Sequence, residues 1–267
     1  MALAKRSHNR TMTQTTILAI ASVAPTLLSA SPVATASGSD KPFQLTLEAG
    51  PAWQARNKVQ IPNDAGGTRF SLEDIAGNGP WANVRLEGIW TINERHGVRV
   101  LLAPLSYEET GVLPQDTDFA GRRYEAGQPV EGEYRFNSWR LGYRYHLISN
   151  TAWDVWIGAT AKIRDAEIRL SQGAISSNDD DVGFVPLLYA AARYRLDDRW
   201  TLSADFDGLA GGPGRAFDVG VRLEYAVNDQ WQIGFGYRTL EGGVDNEDEV
   251  YNFAWFNSLV VAAGYRF

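Results

Sequence analysis

The sequence predicts an all-β fold, an antiparallel up-and-down barrel that crosses a membrane with its strands. Three observations predict it. Apolar and polar residues alternate through nearly all of the 267-residue chain after residue 36, the period of a sheet with two unlike faces. Very short breaks near residues 95, 150, 198 and 229 alternate with longer ones at 57–80, 110–131, 171–183 and 242–251, with 210–215 the one short link on the longer side, as in barrels with short inner turns and long outer loops. The last strand sets Leu259, Val261, Ala263, Tyr265 and Phe267 on one face and Ser258, Val260, Ala262, Gly264 and Arg266 on the other, a greasy outside over a small or polar inside.

The N-terminal segment belongs to export rather than to the fold. Lys5, Arg6 and Arg10 precede an apolar run from Ile17 to Leu28, and Ala34-Thr35-Ala36 supplies small residues for cleavage. Residues 1–36 read as a signal peptide and residues 37–267 as one barrel domain. Cleavage removes three basic and no acidic residues, taking the formal charge from −7 to −10. An acidic exported chain argues against a nucleic-acid partner. With no cysteine, disulfides, thiolate nucleophiles and cysteine-held metals are excluded. No later stretch approaches the ~20 apolar residues of a transmembrane helix.

The strands follow in order. The first is Phe43 to Trp53, the second Trp81 to Ile92, and Glu94-Arg95-His96-Gly97 forms a turn in which glycine offers positive φ. The third runs from Val98 to about Glu108, weakened at Pro104. Tyr134–Leu147 is the fourth and the run from Trp153 to Ile163 the fifth. Phe184–Leu196, Trp200–Leu209, Ala216–Val227, Trp231–Leu240 and Asn252–Phe267 complete ten. An even number suits a single-chain barrel. Eight or twelve remain open, because Thr68–Leu72 in the first long connection could pair.

A small motif recurs irregularly as Gly142-Tyr143-Arg144, Arg193-Tyr194-Arg195, Gly236-Tyr237-Arg238 and Gly264-Tyr265-Arg266. Tyrosine faces the headgroup zone while arginine turns inward. Tyr143, Tyr145, Tyr194, Tyr225, Tyr265 and Phe267 make an aromatic girdle at the inner interface. The terminal strand, with Gly264, Tyr265 and Phe267, resembles the sorting signal of Gram-negative outer-membrane β-barrel proteins. The resemblance implies an outer-membrane address, lipid and lipopolysaccharide as surroundings, and recognition of the last strand by the barrel-insertion machinery.

The inward positions collect Glu48, Arg56, Arg85, Glu87, Arg99, Arg140, Arg144, Asp154, Lys162, Arg164, Arg193, Arg195, Asp205, Asp207, Asp218, Arg222, Glu224, Arg238 and Arg266. Charges in so narrow a space must pair. Gly158, Gly220, Gly234 and Gly236 leave room for long arginine chains. The expectation is a packed polar core that fixes register, the alternative a narrow charged path for small solutes. Ten strands also bring the omptin proteases into comparison, and histidine near the rim the smaller lipid A acyl-chain enzymes. Here His96 and His146 lie toward the inner side, so no outer Asp–His site assembles. A carboxylate site from Asp205, Asp207 and Asp218 with Arg215 nearby is the enzymatic alternative, and loop binding of an external partner the third. Asp179–Asp181 and Asp245–Glu249 lack the glycine and spacing of a calcium loop and read as a solvated rim sharing divalent ions with lipopolysaccharide. Asp165 suggests a bulge or a rim salt bridge, and the 57–80 connection a lid. No cofactor or resident metal is implied. The reading is a monomeric, non-enzymatic outer-membrane barrel, structural or passing small solutes.

Overall fold

The computed structural model describes residues 41–267 apart from Pro213; the expected signal peptide lies outside the described residues. Ten antiparallel strands form the wall. They are β1 (Phe43–Gln60), β2 (Trp81–Thr91), β3 (His96–Ala103), β4 (Pro129–Ser149) and β5 (Trp153–Gln172). The rest are β6 (Ile175–Arg195), β7 (Trp200–Gly211), β8 (Gly214–Ala226), β9 (Trp231–Asn246) and β10 (Val250–Arg266). Each pairs with its sequence neighbour, and β10 closes on β1 from Gln44↔Arg266 to Gln60↔Tyr251. Closure leaves no sheet edge in the lower wall, the condition for strands in lipid. Ten is therefore the count. Phe70–Ser71 does pair, with Val59 and Lys58 of β1, but adds no strand to the wall.

The outward residues are apolar over a limited height. On β5 they are Trp153, Val155, Ile157, Ala159, Ala161 and Ile163, which at ~3.3 Å per residue and a ~40° tilt span roughly 25 Å. Leu141, Leu188, Phe235 and Val261 are all more than half exposed. Below this band, Tyr145, Tyr194, Tyr225 and Tyr265 make tilted or edge-to-face contacts with His96, Trp153, Trp200 and Trp231. Above it a second aromatic ring, not foreseen from sequence, includes Phe184, the stacked Phe206–Phe217 pair, Tyr237 and Trp255.

Several connections differ from expectation. Gly97 is a strand residue without positive φ; the turn is held instead by Asn93, whose Oδ1 accepts from the backbone N–H of Arg95 and His96. The other three inner turns repeat the device. Asn150 accepts from Ala152 and Trp153, Asp197 from Arg199 and Trp200, and Asn228 from Gln230 and Trp231, an Asx side chain replacing a backbone turn bond. The 171–183 connection is no loop but the continuation of the β5–β6 hairpin. Asp165 sits in regular register and makes a rim salt bridge with Arg135 at 3.4 Å; bulges occur at Gln54/Arg56 and His146/Ile148.

Above the band the interior is apolar. The helix α1 (Leu72–Ala76), capped by Ser71 Oγ, drives Leu72 and Ile75 into the outer mouth. They meet Tyr107, Tyr134, Leu170 and Phe256 in one buried cluster. The strand Ser106–Val112 and the Thr117–Phe119/Arg122–Tyr124 hairpin complete it. The 57–80 connection thus packs as a fixed cap. Burial holds the Tyr107 hydroxyl well above the usual phenol range, and its Oη is shared with Gln54 and Asn57.

Candidate functional site in the lumen

Alternation along β1–β4 and β6–β9 delivers charged side chains to the inside of the wall, where they cross-link. Arg140 donates from Nε to Ser138 (2.9 Å), from Nη1 to Asp207 (2.8 Å) and from Nη2 to Asp218 (2.7 Å). Arg238 donates to Asp218 (2.7 Å), Asp205 (2.9 Å) and Glu48 (3.2 Å). Arg85 reaches Asp218 at 3.0 Å and Glu48 at 3.5 Å. Arg99 joins Glu87 at 2.9 Å and also Asp207, with its guanidinium 4.3 Å from the Tyr189 ring centroid. Arg222 bridges Glu48, Asp205 (2.9 Å) and Glu224 (3.3 Å), and Arg193 closes onto Glu224.

Six arginines (85, 99, 140, 193, 222, 238) thus meet six carboxylates (48, 87, 205, 207, 218, 224) in a lattice without net charge. Burying so many ions is tolerable only because each planar guanidinium fork is matched to carboxylate oxygens. The two inward glycines next to it are needed for space. A Cβ on Gly220 would lie 2.5 Å from Arg238 Nη2, and one on Gly236 2.8 Å from Arg222 Cα.

Of the nineteen positions expected to face inward, seven stand apart from the lattice: Arg56, which the Gln54/Arg56 bulge turns to the outer face beside Trp255 and onto Glu241, and Arg144, Asp154, Lys162, Arg164, Arg195 and Arg266. Arg144 faces the inner opening with its guanidinium 4.8 Å from the Trp156 ring centroid. Lys162 sits above the lattice, buried, 4.5 Å from the Phe136 ring centroid. Arg215 does not approach Asp205, Asp207 and Asp218 as the carboxylate-site alternative supposed; it forms a bidentate pair with Glu241 at the rim. Thr160 and Ser203, absent from the inward positions expected from sequence, complete the lattice (Thr160 Oγ1 to Asp207 Oδ1, 2.6 Å; Ser203 Oγ to Glu224 Oε1, 2.9 Å). Small hydroxylated residues at inward positions beside arginines were the signal for them.

Along the axis the interior falls into three zones. From the inner side a recess of about 1060 Å³ reaches up among Arg144, His146, Asp154, Arg193 and Arg266. The lattice then crosses the bore. Just above it a gap of about 20 Å³ lies between Arg140, Arg238 and the buried Leu105 and Phe256, room for about one water, and a larger cavity lies to one side, beside Phe136, Lys162 and Leu240. Among the described residues no group of three metal-ligating side chains converges.

A closed ring of strands, a lipid-height apolar skin, and aromatic rings at both borders have one physical explanation. The chain has the fold of an outer-membrane β-barrel. Its architecture is similar to that of the outer-membrane protease OmpT from Escherichia coli, at a TM-score of 0.56 and 10% identity over 87% of this chain and 99% of that one. Weaker likenesses are to the translocator domain of the autotransporter NalP from Neisseria meningitidis (TM-score 0.43, 12% identity, 86% of this chain and 90% of that one) and to Ail, the attachment invasion locus protein of Yersinia pestis (0.40, 12%, 84% and 99%). At these identities the likeness is one of fold. No protein family and no curated protein matches the sequence. The barrel's outer skin contacts membrane lipid. Its histidines among the described residues, His96 and His146, both lie at the inner end, where His146 Nε2 meets Asp154 at 2.9 Å.

Proposed function

We propose that the protein is a non-enzymatic, monomeric barrel with a sealed lumen, a structural element of the outer membrane rather than a path for solutes. The observation that carries this reading is the lattice in which Arg140 and Arg238 clamp Asp207, Asp218, Asp205 and Glu48 across the bore. A solute would have to break several desolvated ion pairs at once and then displace an apolar cap. The same lattice speaks against catalysis, since a carboxylate held by two guanidinium groups is a poor base. Among the described residues an Asp–His pair at the outer end has no histidine to draw on.

Export through removal of residues 1–36, insertion through the strand ending in Gly264, Tyr265 and Phe267, and lipopolysaccharide around the acidic rim belong to the same reading. Phe267 is exposed at the inner border, where its backbone N–H closes the barrel on Phe43 C=O at 2.9 Å. The test is single-channel recording of the refolded barrel in planar bilayers. The native chain should give no discrete conductance steps. Reproducible steps from it would restore the solute path through the charged bore.

A further inference from the structure

The wall is incomplete at one place. β6 pairs with β7 only from Leu188↔Gly208 to Arg195↔Thr201, yet β6 continues outward to Ile175, paired there with β5. β7 and β8 turn back at Gly211 and Gly214. Among the described residues the β7-facing edge of β6 above Leu188 therefore has no wall strand beside it. Such an edge at the border of the lipid is costly unless something covers it.

A cavity of about 400 Å³ opens at this notch, within the size range of ligand pockets. Its lining includes Val185, which points inward, and its neighbours Phe184 and Pro186, which point outward. Lining by consecutive residues of β6 and by Arg215 and Ala216 of β8 places the cavity at the free edge of β6. It therefore joins the interior to the outward-facing half of the lipid band, at the height of the upper aromatic ring. Inside, it is walled by Leu209, Ala216, Leu240 and Phe256.

The deep end is cationic. Lys162 is 2% exposed and has no carboxylate within ion-pair distance among the described residues. Arg164 pairs with Asp181 through Nη2, but its buried Nε has no acceptor. A buried ammonium and an orphaned guanidinium N–H at the end of an apolar cleft are complementary to an anion carried on a hydrocarbon chain. We infer that this notch binds a long-chain fatty acid from the outer leaflet, its carboxylate at Lys162 and Arg164 and its chain leaving between β6 and the β7–β8 hairpin.

Binding of radiolabelled palmitate to the full barrel in lipid nanodiscs tests this, with heat-modifiable gel migration as the check on folding. The native barrel should bind one equivalent saturably. Lys162→Met, which keeps the stem and removes the charge, should weaken palmitate at least about tenfold, as loss of a charged hydrogen bond does, and leave hexadecanol unchanged. Leu209→Trp, which fills the cleft and spares the cation, should abolish binding of both. Absence of saturable binding to the native barrel, or equal palmitate affinity in the native barrel and folded Leu209→Trp, would overturn the proposal. Should Lys162→Met fail to fold, the native preference for palmitate over hexadecanol decides the role of the cation, and equal affinities overturn it. A conducting barrel that still binds palmitate would sink only the sealed-lumen reading.

Discussion

The two halves of the same strands are built with opposite polarity. Within the membrane β4 carries Leu141 and Tyr143 outward and Arg140 inward; above the membrane it carries Arg135 outward and Tyr134 inward. β5 makes the same reversal, from outward Ile163 and inward Lys162 to outward Arg169 and inward Leu170. β9 passes from Arg238 to Leu240 on its inner face. Along these stretches the alternation holds; only its chemistry changes. In lipid the apolar side must face out, and the interior has to accommodate ions. In water the rule of a soluble sheet returns, with apolar side chains hidden and charges exposed. The solvent on the outside decides what the inside is made of.

That contrast can be broken most directly in the ionic half. Arg140→Ala should lower the free energy of unfolding by about 3–5 kcal/mol, because it leaves the buried lattice one cation short and takes an ion-pair partner from both Asp207 and Asp218. Tryptophan fluorescence of urea unfolding in lipid vesicles measures it. A loss below ~1 kcal/mol, the range of a surface pair, would mean that water fills the bore and the lattice is slack.

The apolar half should fail separately. Leu72→Ala removes a fully buried side chain from the cap and should cost about 2–5 kcal/mol of cap stability. Limited proteolysis should then cut within 57–80, while the barrel keeps its heat-modifiable migration. Simultaneous loss of both would make cap and barrel one cooperative unit and remove the distinction.

The smallest expected effect lies at the inner turns, outside both halves. Backbone N–H groups of Arg199 and Trp200 hold the Asp197 carboxyl below the usual carboxylate range. Because the folded value is depressed, its contribution is present above the ordinary value and fades as pH falls through the folded one. Amide protection at Arg199 and Trp200, taken relative to the intrinsic exchange rate at each pH, should therefore fall on acidification in the native chain. In Asp197→Asn it should be far less sensitive to pH. Equal acid responses would show that this carboxylate does not hold the turn.

Much of the wall could be read directly, because lipid demands strict alternation and alternation is visible in a string of letters. Trp200–Leu209 and Trp231–Leu240 were placed within a few residues of β7 and β9. Their inward Asp205, Asp207 and Arg238 meet in the lattice. The ten-strand count followed from the same pattern. What escaped is what depends on pairing across long distances. The strands beyond the membrane looked like loops, since Asn178-Asp179-Asp180-Asp181 has no apolar face, yet β5 holds them in register. Arg215 was assigned by proximity in sequence to an acidic trio, whereas β9 offered it Glu241. The notch is legible only once one sees that β7 and β8 have 12 and 13 residues beside a β6 of 21.

The four inner turns carry a consequence of their own. Asn93, Asn150, Asp197 and Asn228 each stand three positions before the residue that opens the next strand, which is His96, Trp153, Trp200 or Trp231. Three of those turns also reach a neighbouring tyrosine, through Arg95 to Tyr145, Arg199 to Tyr225 and Gln230 to Tyr265. One short cassette therefore reverses the chain, fixes its depth at the headgroups and fastens it to the adjacent hairpin. Strands joined by such cassettes need no information from the far rim to arrive level with one another, which leaves the distal ends free to differ in height without unseating the base.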